Sequence, residues 1–199
     1  MLNNLLSRYP KLEVCKEDIV RAEIAIINCY ESGGKLLLCG NGGSSADCDH
    51  IVGELMKGFL LSRKVEDLRL PAHIRSKLQA SLPAISLSSQ TAALTAFIND
   101  VDPSMVYAQL LYGYAKPNDL FIGISTSGNS VNVVNAALVA RSIGIATVAL
   151  TGEGSSALSE ICDITVCAPE RETYKVQELH LPIYHYLCAS VEDHFFGNR

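Results

Sequence analysis

His50 and Glu54 are the first residues in this sequence whose types and spacing could do chemistry. They lie at positions i and i+4 of a segment with helical character, so their side chains share one face of a helix. An imidazole and a carboxylate held this close can transfer protons, or they can supply two ligands to a metal ion. An ordinary surface contact has the same spacing, so the pair alone leaves these roles open.

A second candidate set lies near the C-terminus, where Gln177, Glu178, His180 and His185 occupy one predicted helix. At about 100° per residue, Glu178 lies about 20° and Gln177 about 80° around the helix from His185. His180 lies about 140° away, so we expect the two histidines to face different ways. Pro182 lacks the N–H that would bond to the Glu178 carbonyl, which predicts a kink. Helix geometry leaves open which of Gln177 and Glu178 faces inward, and whether His185 is catalytic or structural.

Two loops rich in glycine and serine could hold an anion. Residues 40–45 read GNGGSS and residues 125–130 read STSGNS, and each loop lies between an apolar run and a predicted helix. Backbone N–H groups at a helix start and neutral hydroxyls both bind phosphate without a Lys or Arg. The first loop has neither the Gly-Lys-Ser/Thr of a Walker loop nor the acidic residue that accompanies a dinucleotide fingerprint. The alternative is an ordinary strand-to-helix turn or a helix cap with spare serines.

Asn99 and Asp100 form a third polar pair, which closes the predicted helix after the second strand. Loops that follow a strand are a natural place for ligand contacts. A capping or turn pair would have the same composition, so both interpretations stay open.

The elements that must position these residues alternate between strand and helix. Strands are predicted at 35–39, 83–87, 120–125, 146–151 and 164–167, with helices at 2–32, 46–60, 91–98, 105–115, 131–143, 155–161 and from 174 to the C-terminus. Short apolar strands at this spacing predict an α/β fold, with a parallel sheet covered by helices on both faces. Ligands bind beyond the carboxyl ends of such strands, where both loops lie. Residues 61–82, which are charged and contain Pro71, are interpreted as an inserted helical arm or lid.

Composition bounds the class of protein. The 199 residues are 48% hydrophobic and 19% charged with a net charge of −5, which predicts a single folded domain and excludes a general nucleic-acid binder. An anionic ligand must therefore be held by local donors. Seven cysteines without a CxxC motif indicate free thiols in a reducing compartment. The chain has no apparent signal peptide and no apolar run near the ~18 residues of a membrane span, so we expect a soluble, cytoplasmic protein without a membrane partner.

Taken in order, these motifs resemble the phosphoheptose isomerases of the sugar isomerase (SIS) domain family, over residues 20–195 or so. The resemblance implies one SIS domain over residues 1–199, folded as a flavodoxin-like three-layer sandwich, with an N-terminal helix at 2–32 and the arm at 61–82. It implies a homotetramer with active sites shared between subunits. The implied reaction converts sedoheptulose 7-phosphate to D-glycero-heptose 7-phosphate by proton transfer through an enediol.

The resemblance also implies a role for each matched residue. The phosphate would be held by Ser44, Ser125, Thr126, Ser127 and Ser130. The sugar would contact Asn41, Gly42, Gly43, Glu54, Asn99, Asp100 and Gln177. Glu54 matches the base that moves a proton between C1 and C2, and His185 matches its acid/base partner. One zinc ion per subunit would be bound by His50, Glu54, Gln177 and His185, which by analogy favours Gln177 over Glu178. Zinc would polarise the carbonyl, although a glutamate that binds zinc tightly is a weaker base.

Departures from the family pattern keep two other functions open. Lys57-Gly58 stands where an arginine is common, Tyr174 stands where an aspartate is common, and the 61–82 segment is longer than usual. These differences bear on the sugar more than on the reaction, so an isomerase of another ketose phosphate is one alternative. A non-catalytic SIS sugar-phosphate sensor, or a replication-initiation scaffold, is the other. Such a protein would not need Glu54, Gln177 and His185, and their presence favours an enzyme.

Overall fold

The predicted strands form one parallel sheet in the computed structural model, which describes residues 1–197. The strands are β1 (Leu36–Gly40), β2 (Ala84–Ser86), β3 (Leu120–Ile124), β4 (Ala146–Thr151) and β5 (Ile164–Cys167), in the spatial order β2-β1-β3-β4-β5. Every neighbouring pair is parallel. The predicted α/β class with a central five-stranded parallel sheet is confirmed.

Helices connect these strands at close to the predicted positions. Within residues 1–197 the α-helices are α1 (Leu2–Arg8), α2 (Lys16–Glu31), α3 (Gly43–Met56), α4 (Ala72–Arg75), α5 (Thr91–Asp100), α6 (Val106–Tyr114), α7 (Val131–Ser142), α8 (Ala157–Ile161) and α9 (Thr173–Phe196). The last helix is predicted to reach the C-terminus, but residues 198–199 lie outside the described part. No helix in the described part combines the length and apolar character needed to cross a bilayer.

The sheet is buried on both faces because side chains alternate along each strand. In β1, Leu36 and Leu38 belong to an apolar cluster with residues of α2, α3 and α9, whereas Leu37 and Cys39 belong to a second cluster with α6 and α7. Every residue of β1 and of β3 is buried. The predicted three-layer sandwich is therefore confirmed, and its strands read as unbroken apolar runs because neither face meets water.

The prediction of one N-terminal helix over residues 2–32 is wrong. The chain forms α1, then a 3₁₀ helix over Pro10–Cys15, then α2. Pro10 has no N–H to continue the ladder of α1, and a residue before proline is disfavoured in the helical conformation. Tyr9 accordingly leaves the helix at φ −130° and ψ 70°.

The prediction of a helical arm at residues 61–82 is also wrong. Only the single turn of α4 is helical, and the rest is irregular apart from a bridge between Lys64 and Gln79. Pro71 immediately precedes α4. Leu68 is 83% exposed, and no residue of α4 is buried, so the segment lacks the packed apolar face that stabilises a short helix.

A buried ion pair joins this segment to α3 and α9. The side chains of Arg63 and Glu192 are fully buried, and Nε of Arg63 donates to Oε1 of Glu192 at 2.7 Å. The same carboxylate accepts the backbone N–H groups of residues 59–61. The guanidinium donates to the carbonyls of Glu54 and Leu55 at the end of α3. Burial disfavours the charged carboxylate, but these backbone donors and Arg63 outweigh it and lower the pKa of Glu192.

His180 joins α9 to the end of β4. Its ring is fully buried, and Nε2 lies 3.1 Å from the carbonyl oxygen of Thr151. Within the described residues, Nδ1 has no hydrogen-bond partner. Burial lowers the pKa of His180 to about 4, so the imidazole is neutral and donates through Nε2–H.

All seven cysteines are free, as predicted, and five of them are buried. Burial raises the pKa of Cys15 to about 11 and that of Cys29 to about 12. These two thiols stay protonated at neutral pH and belong to the core rather than to a reactive site.

We predict that Glu192→Ala lowers the free energy of unfolding by about 3–5 kcal/mol, because it leaves a buried guanidinium and three backbone N–H groups without their acceptor. Urea unfolding followed by circular dichroism would measure the loss. Asp67→Ala, which removes the exposed pair with Arg69, is the control and should leave the midpoint nearly unchanged. Equal midpoints for the two variants would contradict the prediction.

We predict that His180 makes stability fall as the pH is lowered from about 6.5 to about 4. In that window His180 is protonated in the unfolded chain but stays neutral in the folded protein, because its pKa in the fold is about 4. His180→Gln should therefore lose about 3 kcal/mol less than the unmutated protein across the window, whatever its stability at neutral pH. Urea midpoints measured as a function of pH test this. His73→Gln, at an exposed histidine of α4, should retain the original slope.

Candidate active site

The two glycine- and serine-rich loops meet because β1 and β3 are adjacent and parallel. Gly40 at the end of β1 is in register with Ile124 at the end of β3. The order β2-β1-β3 reverses direction between these strands, which makes this edge the topological switch point where α/β sheets bind ligands. The loop after β1 begins α3, and the loop after β3 leads into α7.

The first loop turns sharply into α3 at its glycines. Gly42 has φ +55°, a left-handed conformation that favours glycine, and α3 starts at the next residue. Ser44 is buried in the first turn. A Cβ atom placed on Gly43 would lie 2.5 Å from Nε2 of Gln177, so the side-chain amide of Gln177 rests against the loop. Glu178 is exposed, and the structure thus decides which of the two residues faces inward.

The second loop brings several hydroxyl groups close together and contains no Lys or Arg. Oγ of Ser125 lies 3.0 Å from Oγ of Ser130 and 3.5 Å from Oγ of Ser127. Gly128, at φ +65°, closes the turn by donating its N–H to the Ser125 carbonyl. The carbonyl of Thr126 accepts the N–H of Gly152. Three rotatable hydroxyls at the start of α7 form a set of neutral donors that suits a phosphate group.

A pair of asparagines links the two loops. Asn41 and Asn132 donate to each other's side-chain oxygens at 2.9 and 3.0 Å, and the hydroxyl of Tyr107 donates to the carbonyl of Gly40 at 2.8 Å. Asn132 and Tyr107 were not predicted from the sequence. The position of Asn132, two residues after the second loop, was a usable signal, whereas Tyr107 lies in an apolar helix with no local sign of this contact.

His50, Glu54 and His185 come together where α3 packs on α9. Nε2 of His50 lies 3.0 Å from Oε1 of Glu54 and 3.5 Å from Nε2 of His185. One ligand atom from each of the three residues lies within 4.8 Å of the other two. Lys57 also contacts Glu54, with Nζ 3.3 Å from Oε2. The residues singled out at opposite ends of the sequence thus form one cluster.

This cluster brings electron-pair donors together and needs a proton or a cation between them. A neutral imidazole nitrogen without its proton would repel the Glu54 carboxylate at 3.0 Å. Two histidines and one carboxylate are a common ligand set for zinc, which takes a fourth ligand or water in tetrahedral sites. The residues present therefore fit a divalent metal ion by the chemistry of their donors.

The environment of His185 favours its neutral form. Burial and the charges of His50 and Arg8 lower the pKa of His185, while Glu54 opposes them. His185 also lines a cavity of about 470 Å³ between α1, residues 59–60 and α9. A neutral imidazole beside a cavity can accept a proton and return it.

Behind the cluster, His50 contacts two further side chains that were not predicted. Nδ1 of His50 lies 3.0 Å from the hydroxyl of Tyr184, and that hydroxyl lies 3.2 Å from Oδ1 of Asp47. Burial raises the pKa of Asp47, and that of Tyr184 is raised beyond its usual range for the same reason. Asp47 is three residues before His50 on α3, so helix spacing could have indicated it.

Asn99 and Asp100 lie apart from this group. Both are exposed at the end of α5, where Nδ2 of Asn99 donates to Oδ1 of Asp100 at 2.8 Å. Within residues 1–197, neither side chain forms a hydrogen bond with the two loops or with the His50–Glu54–His185 cluster. Their predicted contact with the sugar stays a prediction.

Comparisons with known proteins identify the family of this chain. The SIS domain family model matches residues 2–152. The phosphoheptose isomerase of Aliarcobacter butzleri is 36% identical over 182 residues, covering 92% of this chain and 88% of the relative. That of Desulfovibrio desulfuricans is 38% identical over 175 residues, covering 88% and 76%.

Solved structures give the same result. The phosphoheptose isomerase GmhA of Neisseria gonorrhoeae aligns with a TM-score of 0.75 at 27% identity, covering 96% of this chain and 98% of that one. The phosphoheptose isomerase of Francisella tularensis aligns with a TM-score of 0.76 at 28% identity and the same coverage. The chain therefore belongs to the phosphoheptose isomerase family of SIS domain proteins.

Proposed function

We propose that this protein is an aldose–ketose isomerase that converts sedoheptulose 7-phosphate to D-glycero-heptose 7-phosphate through an enediol. The observation that carries the proposal is the His50–Glu54–His185 cluster, in which His50 and Glu54 lie on the helix that begins in the first loop and His185 lies on α9. The relatives that bear the name phosphoheptose isomerase support a sugar-phosphate isomerase. The identity of the sugar is our inference.

The separation of the loops and the cluster suits a long sugar phosphate. His50 is seven residues into α3, about 10 Å along its axis from Gly43 at 1.5 Å per residue. In a heptose 7-phosphate, the phosphate and the reacting carbons C1 and C2 are at opposite ends of the carbon chain. A phosphate bound by the second loop would therefore leave C1 and C2 free to reach the cluster.

In this proposal each loop residue has a defined task. The phosphate is bound by the hydroxyls of the second loop together with Ser44, namely Ser44, Ser125, Thr126, Ser127 and Ser130. The N-termini of α3 and α7 favour its negative charge. The sugar hydroxyls contact the first loop and its neighbours, namely Asn41, Gly42, Gly43 and Gln177. These groups bind the anion as hydrogen-bond donors and need no positive charge, which suits a protein whose net charge is −5.

Glu54 and His185 carry the proton transfers. The Glu54 carboxylate removes a proton from C1 of the ketose and returns it to C2, which moves the carbonyl from C2 to C1 through the enediol. Neutral His185 exchanges the proton between the two oxygens as the carbonyl moves. Zinc bound by His50, Glu54, Gln177 and His185 would supply a Lewis acid for the carbonyl. Glu54 then has to share or alternate its roles as ligand and base.

A homotetramer with shared active sites accounts for the position of Asn99 and Asp100. None of the ten residues of α5 is buried, even though the helix carries large apolar side chains. Ile98 is 48% exposed, and Phe97 packs only partly on the core. Contact with another subunit would cover this helix. It would also allow Asn99 and Asp100 to reach a neighbouring site.

A panel of ketose phosphates with five to seven carbons tests the proposed reaction. We expect aldose formation from sedoheptulose 7-phosphate, with turnover reduced about 10²- to 10⁴-fold by Glu54→Gln and by His185→Ala. Glu178→Gln, an exposed neighbour on α9, is the matched control and should keep full turnover.

Each other outcome of the panel contradicts the proposal in a specific way. Turnover unaffected by Glu54→Gln and His185→Ala would overturn the mechanism. Preference for a shorter ketose phosphate would identify another isomerase. Binding of the seven-carbon sugar phosphate without turnover would identify a sensor.

Zinc titration tests the metal part of the proposal. After chelation and dialysis, calorimetry should detect one zinc per chain, and His50→Ala should weaken binding at least about 10-fold, since loss of a supporting residue alone has that effect. His73→Ala, at the exposed histidine of α4, should bind zinc as the unmutated protein does. Equal affinity for all three proteins would exclude this site.

A further inference from the structure

Tyr184 stands between His50 and Asp47. Its hydroxyl lies 3.0 Å from Nδ1 of His50 and 3.2 Å from Oδ1 of Asp47. Only 2% of Tyr184 is exposed, and its ring meets that of His50 edge-on with centroids 5.4 Å apart. Asp47 and His50 lie one turn apart on α3, while Tyr184 is on α9 directly before His185. The three side chains form one chain of hydrogen bonds behind the cluster.

The chemistry of these groups gives the chain a direction. An ionised carboxylate only accepts hydrogen bonds, so the Tyr184 hydroxyl donates its proton to Asp47. The hydroxyl oxygen then has lone pairs left for His50, and it can accept a hydrogen bond from Nδ1–H. With the proton on Nδ1, the lone pair of Nε2 is available to a metal ion bound between His50, Glu54 and His185.

We infer that Asp47 and Tyr184 are positioning residues that orient the His50 ring, with Nδ1–H held by Tyr184 and Nε2 directed at a metal ion bound between His50, Glu54 and His185. This inference rests on the proposed function, in which His50 is a metal ligand. A histidine that binds a metal commonly has its tautomer and ring orientation fixed by a hydrogen bond at its other nitrogen. Neither Asp47 nor Tyr184 is among the residues that contact the metal or the sugar in the proposed function.

Packing alone does not account for these two side chains. A phenylalanine would fill the space of the Tyr184 ring, and the surrounding residues of α9 are buried. Oδ2 of Asp47 is buried and has no hydrogen-bond partner within the described residues. Burying a carboxylate with one oxygen unpaired is unfavourable, so a purely structural contact would be better served by apolar residues. The polar chain is consistent with a role in orienting His50.

The test uses Tyr184→Phe, which keeps the ring and removes the hydroxyl. NMR of the imidazole N–H groups, in zinc-loaded full-length protein, reports how fast the His50 Nδ1–H exchanges with water. The His50 signals are assigned by their loss in His50→Gln. We expect slow exchange in the unmutated protein and faster exchange in Tyr184→Phe, which lacks the acceptor of this hydrogen bond. Zinc affinity measured by calorimetry should fall about 10- to 100-fold. Asp47→Asn should change both readouts in the same direction.

Tyr186→Phe is the matched control. Tyr186 lies on the same helix, is buried, and donates its hydroxyl to Glu23 rather than to His50. Its loss should change neither the exchange of the His50 Nδ1–H nor the zinc affinity. The inference is overturned if Tyr184→Phe matches Tyr186→Phe in both readouts.

The exchange and affinity measurements separate this inference from the proposed function, because neither needs turnover. A protein that fails to isomerise any sugar phosphate, but whose zinc affinity depends on Tyr184, would refute the proposed function and retain the positioning role. An active isomerase whose Nδ1–H exchange and zinc affinity do not depend on Tyr184 would support the proposed function and refute the positioning role.

Discussion

The buried pair of Arg63 and Glu192 is the interaction on which the geometry of the site depends. The carboxylate, on α9, accepts the backbone N–H groups of residues 59–61, and the guanidinium donates to the carbonyls of Glu54 and Leu55 at the end of α3. The chain therefore leaves α3 along one fixed path. Because the catalytic candidates lie on α3 and α9, a fixed contact between these helices sets the distance from His50 and Glu54 to His185. Removal of either partner would leave the other charge buried without compensation, so the pair favours this one arrangement of α3 and α9.

The two glycine- and serine-rich loops depend on a different constraint, the parallel pairing of β1 and β3. Parallel strands end at the same edge, so two loops separated by about eighty residues become neighbours. Gly42 and Gly128 give each loop the left-handed turn it needs. Asn41 and Asn132 then join the loops directly. In the proposed function, neutral hydroxyls and backbone N–H groups of these loops would bind the phosphate in place of cations, which is compatible with a net charge of −5.

Two errors in the sequence-based predictions have different causes. The 2–32 helix was predicted from apolar periodicity, but Pro10 interrupts the hydrogen-bond ladder regardless of the pattern around it. The 61–82 segment was interpreted as a helical arm from its charge and from its position between a helix and the next strand. It is held instead by the pair of Arg63 with the distant Glu192 and by the Lys64–Gln79 bridge within the segment. Local pattern is informative where a face is buried, and it fails where tertiary contacts replace periodic packing.

The sequence by itself determined the α/β class, the order of the strands along the chain, the loops that follow β1 and β3, and the pairing of His50 with Glu54. Each of these can be inferred from local sequence. Short apolar runs mark the strands and the loops that follow them, and the i, i+4 spacing places His50 and Glu54 on one helix face. Only the tertiary structure decided that Gln177 rather than Glu178 rests on Gly43, that His185 meets His50, and that Tyr184 connects His50 to Asp47. The physical reason is that the rotation of α9 about its own axis is set by packing on the sheet and on α3. Sequence spacing gives angles within a helix and leaves that rotation undefined.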